Sequence, residues 1–132
     1  MLVIVRRRVI PIKILIVDDE DTILEEAAET LTDEGYDCVV ASNVKAAVVM
    51  INTTPGIALV LTDLRMPGGT GADLIKIVET TLEQKIKFIV MSGHAHPTIE
   101  KNGIDLSFYP FLKKPLNIET LIEKVKLVLE ST

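Results

Sequence analysis

Ile12-Lys13-Ile14-Leu15-Ile16-Val17-Asp18-Asp19-Glu20 is the stretch that decides the fold. A β-branched apolar run with no polar face reads as a strand covered on both sides, as strands of parallel sheets are. It stops on three carboxylates, where such a strand would end. The same form recurs downstream, where Ile57 to Thr62 runs into Asp63 and Lys87 to Met91 into Ser92, while the less continuous Tyr109 to Leu112 leads into Lys113-Lys114-Pro115. Cys38 to Ala41 supplies a fifth, less continuous strand. Ligands of open α/β sheets bind outside the carboxyl ends of the strands. Asp18, Asp19, Asp63 and Lys114 are therefore expected in one crevice although they are distant in the chain.

Segments of helical period separate the strands, as in repeated βαβ units. The first carries Leu24, Ala27, Ala28 and Leu31 on one stripe, and the second Val44, Ala47, Val48 and Ile51. The last turns Leu121, Ile122, Val125, Val128 and Leu129 inward and leaves Glu119, Glu123, Lys124 and Lys126 to solvent. Asn43 and Asn117 stand as N-caps, and Gly35 sits where the first helix should end. The fourth helix is expected to be short, because Pro97 can open it but Asn102-Gly103 stops it. Residues 102 to 110 then form an irregular connection, and Pro110 restricts the last strand unless it stands at its start. Right-handed crossovers place helices on both faces of five strands.

A chain of 132 residues, 48% hydrophobic, fits one domain with a two-sided core. Its net charge of −5, with no basic face, argues against direct nucleic acid binding. Met1 to Pro11 reads as an N-terminal extension before a domain spanning 12–130. Its apolar Leu2 to Val5 precedes Arg6-Arg7-Arg8, the reverse of a secretion signal, and is too short to span a membrane. No membrane insertion is expected. Cys38 has no disulfide partner, reads as a buried small hydrophobe, and fits a reducing, cytoplasmic setting.

Three acids at neighbouring strand ends concentrate negative charge. Two such charges about 5 Å apart repel by roughly 3 kcal/mol at an effective dielectric of 20. Lys114 supplies one compensating charge, and a hard divalent cation such as Mg²⁺, which takes one or two carboxylates plus phosphate oxygens, supplies the rest. A carboxylate so placed can act as a nucleophile toward phosphorus. Asp63 on the central run is the candidate, with the loop from Leu64 to Gly68 offering backbone groups and Ser92 a hydroxyl.

Together these residues resemble the receiver domains of two-component response regulators. The resemblance covers Ile12 to Glu130 and rests on Val17-Asp18-Asp19-Glu20, Thr62-Asp63-Leu64-Arg65-Met66-Pro67, Met91-Ser92-Gly93 and Leu112-Lys113-Lys114-Pro115 in the family's order and spacing. It implies a flavodoxin-like doubly wound parallel sheet of order 2-1-3-4-5 with five helices. It also implies that Asp63 accepts a phosphoryl group from a histidine kinase or a histidine phosphotransfer protein. Asp18, Asp19, Asp63 and the Arg65 backbone carbonyl would hold Mg²⁺, with Asp18 acting mostly through water. Lys114 would pair with the phosphoryl group. Ser92 and Phe111 would be the switch pair, acting on the face built by the fourth helix, last strand and last helix. Arg65 and His94, each two residues beyond a site residue, would tune phosphoryl lifetime. The broken fourth helix is similar to that of receivers fused to hybrid sensor kinases. A phosphorylation-dependent homodimer stays open.

Two rival readings remain at this level. A Mg²⁺-dependent phosphatase of haloacid dehalogenase type would use Asp19 as nucleophile and Asp21 as proton donor, but it leaves Asp63 without a role. A docking module with a vestigial pocket would not need the complete set of acids, hydroxyl and lysine. Gly68-Gly69-Thr70-Gly71 lacks the Gly-Lys-Ser/Thr of a phosphate loop and reads as a turn into the third helix. His94 and His96 lack a third ligand and read mainly as exposed polar residues.

Overall fold

A computed structural model describes residues 10–82, 84–93 and 98–131. Its sheet has five parallel strands, β1 (Lys13–Val17), β2 (Asp37–Ala41), β3 (Ile57–Asp63), β4 (Lys87–Ser92) and β5 (Phe111–Lys113), in the order β2-β1-β3-β4-β5. Four α-helices are present among the described residues: α1 (Asp21–Asp33), α2 (Val44–Thr53), α3 (Gly71–Ile77), which runs on as a π-helical turn over Val78–Leu82, and α4 (Ile118–Glu130). A two-stranded ribbon, Arg65–Met66 with Gly69–Thr70, joins β3 to α3.

The continuous apolar runs are explained by what covers them. Along a strand, side chains alternate between faces, so a two-sided sheet needs apolar residues at every position. Ile14 and Ile16 of β1 join Leu59, Leu61, Ile89 and Met91 in the layer under α1 and α4. Leu15 and Val17 join Val60, Phe88 and Val90 in the layer under α2 and α3. One irregularity interrupts the pattern. The pairing of β1 with β3 jumps from Lys13–Ile57 to Ile14–Leu59, and Ile57 packs in the α2/α3 layer while Leu59 packs in the other.

Helix ends follow the expected signals. Asn43 Oδ1 accepts from Ala46 N at 2.7 Å and Asn117 Oδ1 from Thr120 N at 3.0 Å. Gly35 has φ +97°, a conformation that closes α1 at little cost only for glycine. The Gly68–Gly71 turn leads into α3 as expected. Thr70 caps that helix, accepting from Asp73 N at 3.1 Å while the Asp73 carboxylate accepts from Thr70 N at 3.0 Å.

Three expectations need correction. Five helices were expected, with a short fourth one. The described part of that segment instead holds a β-bridge between Ile99 and Asp105 and a 3₁₀ turn at Leu106–Phe108. Polar contacts divert it from a helix: Asn102 Nδ2 donates to Asp73 Oδ1 at 3.0 Å, and Lys76 Nζ donates to the Asn102 carbonyl at 2.6 Å. The last strand begins at Phe111 rather than Tyr109, directly after Pro110, which has no N–H to give a ladder. Cys38 is half-buried rather than buried, because β2 is an edge strand, and what burial it has raises its thiol pKa. Residues 1–9 of the N-terminal extension, Pro97, His94 and His96 lie outside the described residues.

Candidate functional site

Asp18, Asp63, Ser92 and Lys114 each stand at or one step past the carboxyl end of a strand, and backbone bonds fix them there. Asp18 follows β1, with its N–H donated to Ala41 O at 3.1 Å. Asp63 ends β3, and the next N–H, that of Leu64, reaches Met91 O at 2.8 Å. Ser92 ends β4, and its carbonyl accepts from Lys114 N at 2.8 Å. That bond seats Lys114 just past β5, before a cis Lys114–Pro115 peptide. The β2-β1-β3 order makes the chain depart in opposite directions from β1 and β3, and a crevice opens between them. Gly71 lets the exit from β3 pack closely, since a Cβ there would lie 2.6 Å from Asp63 O.

The expected convergence is present. Lys114 Nζ lies 2.7 Å from Asp18 Oδ2 and 3.3 Å from Asp63 Oδ1. Asp18, Asp19 and Asp63 present carboxylate oxygens within 4.8 Å of one another, Asp18 and Asp63 buried and Asp19 exposed. Asp18 Oδ1 accepts from Glu20 N at 2.9 Å, while its buried Oδ2 faces the Lys114 ammonium. A cluster of close carboxylate oxygens from three acids, two of them buried, matches the donor set of a hard divalent cation. Asp63, Ser92, Arg65, Lys114 and Pro115 line a cavity of about 440 Å³ with Glu20, Ile23 and Gly93.

Electrostatics separate the two charged partners. Burial first, and then the Asp18 carboxylate, push the Asp63 pKa from 3.8 up to about 6, against the opposing pull of Lys114. Burial works against the Lys114 ammonium, but the Asp18 and Asp63 carboxylates outweigh it, and its pKa is raised. At neutral pH this leaves a charged lysine beside a carboxylate that is ionised yet more basic than a surface aspartate.

The structure adds residues that the motifs did not single out. Glu20, in the first acidic motif, puts Oε1 3.5 Å from Lys114 Nζ, so three carboxylates surround that ammonium. Arg65 is exposed, and its Nη1 lies 3.5 Å from Glu100 Oε1. Tyr109, whose hydroxyl donates to Glu79 Oε2 at 2.5 Å, stacks edge-on against Phe88 at 6.3 Å. Phe111 is half-buried against the α2/α3 layer, and Ser92 is buried at the end of β4. The Asp19/Asp21 phosphatase reading gains nothing: Asp21 is the exposed first residue of α1 and is not among the clustered acids.

Comparisons with known proteins point the same way. A putative NtrX-like response regulator of Rickettsia typhi is 32% identical over 121 residues, covering 90% of this chain and 25% of that protein. The sensor kinase CckA of Brucella abortus is 31% identical over 118 residues, covering 89% of this chain and 12% of the kinase. The solved structure of the chemotaxis protein CheY4 of Vibrio cholerae matches with a TM-score of 0.80 at 26% identity, covering 90% of this chain and 99% of that one. The chain spans about a quarter to a half of the length of the first curated relatives it matches. Among the described residues no helix is long and apolar enough to cross a membrane. The model of the response regulator receiver domain matches residues 14–126, and with the sheet order and the clustered acids at its rim this chain belongs to that family.

Proposed function

We propose that this domain accepts a phosphoryl group on Asp63 from the phosphohistidine of a histidine kinase or histidine phosphotransfer protein in a cytoplasmic phosphorelay. The observation that carries this reading is the Lys114 ammonium lying between Asp18 and Asp63 at 2.7 and 3.3 Å, at the mouth of a cavity. In the transfer, an Asp63 carboxylate oxygen forms a bond to phosphorus as the phosphorus–nitrogen bond breaks, and the electron pair leaves with the imidazole. Lys114 faces the oxygens that gather charge, and the Ser92 hydroxyl lines the same cavity. Hydrolysis reverses the state: water attacks phosphorus, inorganic phosphate leaves and the carboxylate returns.

Asp18, Asp19, Asp63 and the Arg65 carbonyl are the groups that would hold Mg²⁺. When bound, it would neutralise the clustered acids and polarise the phosphoryl oxygens. Burial and the Asp18 charge oppose ionisation of Asp63, and a bound cation would favour it. Ser92 and Phe111 are the switch pair: a hydroxyl drawn toward the phosphoryl group vacates space for a half-buried aromatic ring, biasing two packings of the β5 side. A tenfold bias needs about 1.4 kcal/mol, within reach of one charge-assisted hydrogen bond.

The test is intact mass after incubation with Mg²⁺ and a small acyl phosphate. One phosphoryl group should add to the parent and none to Asp63→Asn. Labelling that survives in Asp63→Asn, or appears on His94 or His96, would overturn the assignment. Sustained turnover of an aryl phosphate would favour a phosphatase instead.

A further inference from the structure

Arg65 borders two cavities. It lines the crevice that holds Asp63, Ser92 and Lys114, and it also lines an adjoining groove of about 440 Å³ with Thr70, Asp73, Glu100 and Asn102. Its guanidinium pairs with Glu100 at 3.5 Å, and the partners differ sharply in exposure: the Arg65 side chain is 60% exposed and that of Glu100 11%.

Glu100 is the anchored partner. Thr98 Oγ1 donates to its Oε2 at 2.6 Å, and its own N–H donates to Ile104 O at 2.8 Å. The loop around it is tied to α3 through the Asn102–Asp73 and Lys76–Asn102 hydrogen bonds. Arg65 is therefore an exposed cation held by an anchored carboxylate beside the place where new negative charge would arrive. A phosphoryl group on Asp63 would put nearly two charges where the carboxylate held one, on a set of oxygens that a planar guanidinium can grip in bidentate fashion, against the single charge of Glu100.

We propose that Glu100 is a positioning residue for Asp63 phosphorylation: it retains the Arg65 guanidinium at the border of the two cavities and competes with the phosphoryl group for it. The inference rests on the phosphoacceptor reading of Asp63. Coupling between two sites is reciprocal, so occupation of Asp63 also loosens the 98–105 loop from Arg65. Neither effect requires Arg65 or Glu100 to touch the reacting atoms before transfer.

The probe is beryllium trifluoride with Mg²⁺, an imitation of the phosphoryl group, with affinity read by calorimetry on the parent, Glu100→Gln, Arg65→Ala and the double variant. Glu100→Gln keeps the side chain's shape and removes the competitor, so it should tighten binding about threefold, within the range of a partly exposed ion pair. Arg65→Ala should weaken binding, and in that background Glu100→Gln should change nothing. Hydrogen exchange at the Glu100 and Leu106 amides should quicken on binding in the parent but not in Arg65→Ala. A merely structural role for Glu100 would shift affinity equally in both backgrounds, and that result overturns the proposal, as does a Glu100→Gln variant that binds like the parent. If the parent takes up no probe, the phosphoacceptor reading falls too; a parent that binds with flat variants defeats the positioning role alone.

Discussion

Replacing Asp63 by Asn should stabilise the metal-free domain at pH 7, although it removes the proposed nucleophile. The Asp63 carboxyl has its pKa raised from 3.8 to about 6, by burial first and by the Asp18 charge second. A group whose pKa is higher in the folded state binds its proton more tightly there. Its favourable contribution is complete below about pH 4 and is lost as pH rises through about 6. Near neutrality the folded protein thus carries the cost of an ionised, crowded carboxylate. At about 1.36 kcal/mol per pKa unit the ceiling is about 3 kcal/mol. Water in the cavity that Asp63 lines screens part of this, and about 1–2 kcal/mol is the expected gain. For a domain of this size that raises the melting temperature by roughly 3–8 °C. Denaturant melts of both proteins from pH 4 to 7.5 in a chelator are the assay. The gain should shrink toward zero at pH 4, and millimolar Mg²⁺ should stabilise the parent more than the variant. A variant less stable than the parent at pH 7, or a difference that ignores pH, would refute the reasoning.

Other perturbations probe the frame of the site. Lys114→Met leaves buried Asp18 without its nearby cation, and a loss of about 3 kcal/mol at pH 7 is expected in chemical melts, partly recovered on adding Mg²⁺. Gly71→Ala forces a methyl group against Asp63 O, where only 2.6 Å is available. It should cost about 1–3 kcal/mol and slow phosphoryl uptake measured by mass. Asn43→Ala removes the side chain that accepts from Ala46 N and should cost about 1 kcal/mol in thermal melts, with phosphoryl uptake unchanged.

The strands were legible because their signal is local. A two-sided strand must be apolar at every step and must stop where the chain leaves the core, so Asp18, Asp63 and Ser92 were marked by the ends of the runs before them. The N-caps Asn43 and Asn117 and the turn glycine Gly35 are equally local devices. The fourth helix failed for the opposite reason: Pro97 and Asn102-Gly103 describe the segment alone, whereas Asp73 and Lys76 hold Asn102 from another element. Glu100 carried no signal, since its partner Arg65 is far away in sequence and sits in a loop. Glu20 stood inside a recognised motif, yet nothing in the motif says which of its three acids will reach Lys114.

Composition and periodicity by themselves determined the alternation of strands and helices and two faces of core for each buried strand, because burial demands follow each residue's own position along its element. The tertiary structure alone decided that Lys114 lies 2.7 Å from Asp18, that Arg65 is held by Glu100, and that Ile99 bridges to Asp105 where a helix was expected. Those outcomes depend on which strand ends become neighbours in the sheet, and a charge pair between remote residues leaves no period in the chain that could announce it.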